Sequence, residues 1–472
     1  MPLQLADTPD STRGVGQELE IGCVQPRLMS IPRLPFESRF GYGEYEVTEM
    51  NDRMSRTFRC TLAVGIALLL FAGAGCDDEV EETTQGPSPT ADAPSFSLPD
   101  ANTAFAFDLY GELRAADGNL FLSPYSVSAA LAMTLAGARA ETASQMSAVL
   151  HYEDAEALVD AAFGELDDEL ASRTELADTD AAEGFDLHVV NALWPQTGYE
   201  LLEAFVERLT VDYGAELREL DYEQDPEAAR QTINDWVADE TAQRIQDLIP
   251  AGVIDTLTRL VLTNAIYFNA PWLEPFTEEA TAQEPFHLLG GTTVDVPMMH
   301  KTETLLYATW GGGVAVEIPY NGAKLAMTVL LPDDGTFDAF EASLTADLFD
   351  EIVSSLVTER IALGLPRFEF DFATSLVPAL QALGMTDAFD GSRADFSGIT
   401  GERDLAISDV LHKAFVSVDE VGTEAAAATA VVFRATAAPT QPMAITIDRP
   451  FLFVIRDRPT GSVLFLGRVL EP

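Results

Sequence analysis

An α+β fold with large antiparallel sheets is predicted for residues 101–472, on three observations. Segments with helical periodicity crowd the first half of this region, and strand-like runs crowd the second. The hydrophobic share is 47%, enough for a substantial core. The three cysteines, Cys23, Cys60 and Cys76, all precede residue 77, so the folded part has neither a disulfide framework nor a thiolate metal site.

Residues 1–53 carry scattered Pro and Gly without a sustained period and are expected to be irregular or a non-native upstream extension. Residues 54–76 have the layout of a secretory signal. Arg56 and Arg59 precede an apolar run from Leu62 to Ala72, and Gly73-Ala74-Gly75-Cys76 closes it. The run falls short of the roughly 20 residues that span a bilayer. Its end resembles a bacterial lipobox, although Gly73 stands where Leu is usual. Cys76 is therefore expected to be lipidated, with cleavage after Ala72-Gly73-Ala74 as the alternative. Either route implies a secreted or cell-envelope-anchored protein, and acylation would tether it to a membrane face. Residues 77–100 form an acidic Ser/Pro/Thr-rich linker.

Within the folded region the 3.6-residue period marks helices over 101–115, 124–149, 155–173, 199–213 and 226–247. Alternating or continuous apolar runs mark strands over 186–194, 258–268, 314–319, 324–332, 361–370, 406–418, 443–448, 451–457 and 462–469. No internal repeat is present. Asp and Glu total 77 against 27 Lys and Arg, a formal net charge of −50. Such a surface repels nucleic acid. Its simplest use is solubility, for instance in a salty medium that screens repulsion. The five histidines lack metal-ligand spacing, so no metal or cofactor is expected. No G-x-S-x-G elbow or glycine-rich phosphate loop occurs.

The most informative stretch is 404–437. A strand-like part ends at Val418 and Gly422 breaks it. Thr423, Glu424, Ala425, Ala426, Ala427, Ala428 and Thr429 follow. Alanine-rich sequence favours a helix. Alternation suits a strand equally: Thr423, Ala425, Ala427, Thr429, Val431 and Phe433 share one uncharged face of rising size. Glu424 and Arg434 fall on the other. The pattern alone leaves both readings open.

Glu420-Val421-Gly422-Thr423-Glu424 with the following alanines resembles the hinge of inhibitory serpins. Other segments are similar to serpin motifs and fall in the family's order. They include Asn119 to Ser126, Thr263 to Phe268 with Trp272, Leu365-Pro366-Arg367-Phe368, His412-Lys413-Ala414 and Phe465-Leu466-Gly467-Arg468. The resemblance covers about 101–472. It implies eight or nine helices, three β-sheets and an exposed reactive-centre loop. It also implies a monomer that inhibits serine-type endopeptidases as a suicide substrate and is not itself an enzyme.

By that resemblance Ser123, Ser126, Asn264 and His412 form a polar shutter beneath the central sheet, and Trp272 lies where the loop enters it. The cut bond falls at Thr436–Ala437, suiting an elastase-like or subtilisin-like protease. Its rival is Arg434–Ala435, suiting a trypsin-like one. The region matching the heparin-binding helix of some serpins, Glu153 to Arg173, is acidic, so heparin is not expected to bind. The alternative function is a non-inhibitory serpin acting as a binding or chaperone-like surface. Such serpins carry bulky or charged hinge residues, unlike Thr423 and its alanines.

Overall fold

The computed structural model describes residues 96–153, 155–175, 186–423 and 441–472. The signal-like segment with Cys76, most of the linker, the hinge from Glu424 to Thr429 and both candidate cut bonds lie outside the described residues. In chain order the strands are β1 (Leu120–Leu122), β2 (Asp186–Pro195), β3 (Glu216–Leu217), β4 (Leu260–Pro271), β5 (Ala282–His287), β6 (Thr293–Trp310), β7 (Gly313–Pro319), β8 (Leu325–Pro332), β9 (Val357–Pro366), β10 (Phe368–Ser375), β11 (Leu411–Val418), β12 (Gly422–Thr423), β13 (Met443–Thr446), β14 (Phe451–Asp457) and β15 (Val463–Val469). Ten α-helices accompany them among the described residues.

One sheet runs β10-β11-β12-β4-β2-β3. The other hydrogen-bonded set runs β1-β15-β14-β8-β7-β6-β9-β13, with β5 on β6. The 18-residue β6 serves two sheets in this set. Its Leu306–Trp310 end pairs with β7, and its Thr293–Tyr307 part pairs with β5 and β9. That gives the expected three sheets.

Every residue of β8, β14 and β15 is buried, so these strands lie inside the molecule on both faces. This accounts for apolar runs without alternation. β11 has one half-exposed and one buried face, and its sequence alternates accordingly. Helix Pro226–Glu240 builds a second, smaller core with Trp194, Tyr222 and Ile249.

The structure departs from the sequence expectation at several points, three of which have a clear local cause. The helix expected over 124–149 is two, Pro124–Leu135 and Ala140–Val149. The chain turns at Gly137, where a Cβ would sit 2.2 Å from Ile399 Cγ1, so only glycine admits that packing. The helix expected to reach 247 stops at Glu240, because Ala242 and Gln243 adopt positive φ. β6 was not foreseen: its middle, His300-Lys301-Thr302-Glu303-Thr304, is polar and masks the strand pattern.

Between the sheets' buried strands Glu317 of β7 receives Arg456 Nη2 at 2.6 Å and Arg458 Nε at 2.9 Å. Removing one partner leaves a buried charge unpaired. Glu317→Leu is therefore expected to lower the unfolding free energy by about 3–5 kcal/mol, read from urea denaturation; an unchanged midpoint would contradict this.

Candidate functional site

The site lies in the six-stranded sheet, around the short strand β12. β11 pairs with β10 along all of Leu411–Val418. β4 pairs with β2 along Leu260–Asn269. Between β11 and β4 stands β12, only two residues long. Thr423 lies opposite Val418 on one side and Ala270 on the other, and Gly422 lies opposite Pro271. Among the described residues no other strand pairs with the facing edges of β11 and β4.

The upper end of this opening is tightly built. A Cβ on Gly422 would lie 2.2 Å from the Ala270 carbonyl oxygen, so the close approach to β4 requires glycine. Asp419 caps the tight turn: its Oδ1 accepts from Val421 N (2.8 Å) and Gly422 N (3.1 Å). Thr423 is buried, with its Oγ1 2.7 Å from the Tyr320 hydroxyl. Tyr320 stacks on Trp272 at 4.6 Å between ring centroids. Trp272 Nε1 donates to Asp419 O at 3.0 Å, and its backbone N to Val421 O at 2.8 Å. Glu420 is buried and accepts from Arg367 and Thr281. Those bonds hold its carboxyl below the usual range against the opposing effect of burial. Lys301 Nζ sits over the Phe276 ring at 4.5 Å and pairs with Glu303.

Lower down, Ser123 caps helix Pro124–Leu135, its Oγ accepting from Ser126 N at 3.2 Å. The same hydroxyl donates to Leu464 O at 2.8 Å. Ser123 N donates to His412 Nε2 at 3.2 Å, which puts the imidazole proton on Nδ1. His412 is buried, and desolvation pushes its pKa down from 6.5 to about 4. It is a neutral acceptor at physiological pH. Asn264 lies in β4 opposite Asn191 of β2, with its side chain outside the described set.

A cavity of about 580 Å³ lies at the lower end. Helix Pro124–Leu135 lines one part of it, and Leu248, Ile249, Val253, Ile254 and Leu257 line another. Residues 258–263 and 404–412 form its side walls.

The sequence model of the family described as "Serpin (serine protease inhibitor)" matches residues 100–472. The chain belongs to the serpin family. It is 38% identical over 441 residues to an uncharacterised serpin-like protein of Thermococcus kodakarensis, covering 88% of this chain and 99% of that one. It is also 38% identical over 391 residues to the leukocyte elastase inhibitor of Homo sapiens, covering 79% and 99%. Among solved structures, uncleaved ovalbumin aligns at 28% identity with a TM-score of 0.72, covering 80% of this chain and all of ovalbumin. A loop-inserted form of a cleaved ovalbumin mutant aligns at 26% identity with a TM-score of 0.70. Serpins as a family are protease inhibitors rather than enzymes.

In this serpin the structure brings Ser123, Ser126 and His412 together, and sets Trp272, Glu420, Gly422 and Thr423 around the top of the opening. Sequence reasoning gave no role to Tyr320, Arg367 or Thr281. Arg367 stood inside a quoted motif, so its position was visible and its partner was not. Tyr320 and Thr281 are 103 and 139 residues from the groups they bind, and no local spacing announces such contacts. Among the described residues no His, Cys, Asp and Glu group is placed to hold a metal ion.

His412 makes a pH prediction. A base whose folded pKa lies below its unfolded value binds fewer protons when folded. Its contribution is complete above about pH 6.5 and is lost as pH falls toward 4. The loss is on the order of 3 kcal/mol. Asp167 acts in the opposite sense: burial raises its carboxyl to about 6, so its contribution fades as pH rises through that value. A comparison with His412→Gln, which keeps an acceptor for Ser123, isolates the histidine. Urea midpoints of the native chain are expected to fall more steeply than those of the variant between pH 6.5 and 4.5; equal slopes would show that the imidazole is not held neutral by the fold.

Proposed function

We propose that this serpin inhibits a serine-type endopeptidase as a suicide substrate, and that the chain after Gly422 becomes the missing strand between β11 and β4. The target's serine oxygen attacks the carbonyl carbon of the residue before the cut. The peptide bond breaks, the amine on the far side leaves with a proton, and an acyl ester joins the two proteins. The released segment then extends β12 downward. Fourteen residues from Thr423 to Thr436 reach roughly 46 Å, enough to carry the attached protease to the other end of the sheet. Distortion of the protease's oxyanion site then stalls ester hydrolysis, since one lost donor slows such chemistry roughly 10²–10³-fold.

The observation that carries this reading is β12 itself. Thr423 is already paired on both sides and buried against Tyr320, and Gly422 is already paired with β4. Stepping six residues from Thr423 to Thr429 steps six down from Val418 to His412 and from Ala270 to Asn264. The shutter residues therefore flank the path of the strand, and Ser123 and Ser126 lie beneath it.

The cut is proposed at Thr436–Ala437, where Ala435, Thr436, Ala437 and Ala438 suit an elastase-like or subtilisin-like protease. The similarity to leukocyte elastase inhibitors agrees with that class. Arg434–Ala435, cut by a trypsin-like enzyme, is the rival. The protein is proposed to act as a monomer, secreted or held at the cell envelope through Cys76.

The test is incubation with an elastase, a subtilisin and a trypsin-like protease, followed by denaturing gels and mass measurement of the loop fragments. A detergent-stable band at the summed mass is expected with one of the first two. Cleavage without such a band in every case would favour the non-inhibitory alternative. Thr423→Arg and Ala427→Arg place a charge on the inward face of the strand, where an unpaired polar group costs several kcal/mol, so each is expected to cut complex formation about tenfold or more. Circular dichroism of the intact variants verifies that they fold, and full inhibition by both would overturn the insertion step.

A further inference from the structure

Two aspartates on helix Glu156–Glu175 each meet a phenol, and among the described residues one of them lacks a counter-charge. Asp160 accepts from the Tyr213 hydroxyl at 2.6 Å and pairs with Arg208 of helix Glu203–Asp212. Asp167, two turns further and so on the same face, accepts from the Tyr125 hydroxyl of helix Pro124–Leu135. No described cation pairs with Asp167: Arg208 is committed to Asp160, and Arg173 to Asp457 and Glu169. The charge acting on it from its own helix is Asp168, of like sign. Helix Pro124–Leu135 carries no charged residue. Helix Leu98–Leu113 and β2 also pack on this helix. The first carries Asp100, Asp108 and Glu112, with Asp108 bound to His151, and the second carries Asp186 and His188. Tyr125 packs on Phe163, which Tyr152 and Tyr213 also contact. In this aromatic setting burial pushes the Asp167 carboxyl up to about 6.

Tyr125 is fully buried and stands between Ser123 and Ser126, in the first turn of its helix. That turn holds His412 through Ser123 N and β15 through the bond from Ser123 Oγ to Leu464 O. We propose that Asp167 is a proton-operated latch on this turn: protonated, it shares a hydrogen bond with Tyr125 and keeps the turn against helix Glu156–Glu175; ionised, it draws water in and the turn loosens. The latch is a property of the fold. Its bearing on inhibition rests on the reading above, because the turn it grips carries the shutter residues Ser123 and Ser126. Once the carboxyl ionises, the shutter opens more readily and the intact form persists for less time.

Proton linkage sets the direction. A carboxyl whose folded pKa lies above its unfolded value binds more protons when folded. Its stabilisation is complete below the ordinary aspartate value of about 4. It is lost as pH rises through about 6. His412 acts on the same turn in the opposite sense, releasing it only as pH falls toward 4. The first turn of helix Pro124–Leu135 is therefore gripped from both sides in the weakly acidic range between these values. Asp160 supplies the contrast, since Arg208 beside it compensates an ionised carboxylate.

The experiment uses the intact full chain at about pH 5.5 and about pH 7.5, on either side of the Asp167 value and above the range where His412 titrates. Amide hydrogen exchange is read by mass on peptides covering 123–135, corrected for the chemical exchange rate, with the buried strand β14 as internal reference. In the native chain exchange of this helix is expected to rise about tenfold or more between the two conditions. Asp167→Asn, neutral at both, should stay at the slow level throughout, and the comparison cancels any titration of His188. Tyr125→Phe, which lacks the hydroxyl, should show the fast level at both. Circular dichroism verifies that both variants fold. The same chains are then warmed at each pH, and the fraction still able to form a detergent-stable complex is followed at one common pH. The native half-life is expected to be several-fold shorter after warming at the higher pH, and that of Asp167→Asn unchanged. An equal pH response of exchange in the native chain and Asp167→Asn would overturn the latch. The expected exchange with half-lives indifferent to pH would overturn its tie to the shutter. The expected exchange with no complex formed by any protease would overturn the inhibitory reading and leave the latch standing.

Discussion

The short strand β12 joins β11 to β4 among the described residues, and the contacts around it set the geometry of this sheet. Both strands are fully paired on their outer sides and share only the two residues of β12 between them. This region of the sheet is held by side-chain contacts above and below. Above, Gly422 is pressed against Ala270 while Trp272 and Tyr320 pack around Thr423. Below, His412 is tied to the backbone of Ser123, which anchors helix Pro124–Leu135 to β15 through Leu464. In the proposed inhibitor these contacts keep a complete sheet from forming until a cut frees the strand, so persistence of the intact form is a matter of rate.

The charge distribution follows a similar economy. With 27 basic residues against 77 acidic ones, this chain has few cations, and several are fixed in or near the core. Arg173 pairs with Asp457, Arg456 with Glu317, and Arg468 with Glu341, all largely enclosed. Arg367 is committed to Glu420 at the top of the opening. What remains outside is dominated by carboxylates. Those repel one another until salt screens them. The acidity therefore belongs to the surface, while the pairing that positions the strands is local and enclosed.

The α+β class and most buried strands were legible because burial and pattern coincide in them. β8, β14 and β15 are continuous apolar runs, and β11 alternates as its half-exposed position requires. β6 was not legible, because a strand shared between two sheets changes its environment along its length and so loses a single period. The break at Gly137 was hidden for another reason: its cause is Ile399, far along the chain. At the site, Ser123, Ser126, Trp272 and His412 came from motif resemblance, while Tyr320, Arg367 and Thr281 emerged only when the fold brought distant segments together. Local spacing records local constraints, and a site built where two sheets meet is mostly non-local.

Completion of the sheet also demands that something in front of it move. Residues 242–254 leave helix Pro226–Glu240 and contact β11. Lys413 of β11 donates to Gln246 O, Asn234 brackets Ile249 with two hydrogen bonds, and Arg244 lies over the Phe415 ring. Ala242, Gln243 and Asp247 all hold positive φ, which costs non-glycine residues backbone energy. Ile245, Ile249 and Ile254 of this segment are buried in the second core, so apolar packing holds it as well as these polar contacts. In the proposed mechanism the cover contributes a local barrier, separate from the contacts around Trp272 that guard the top.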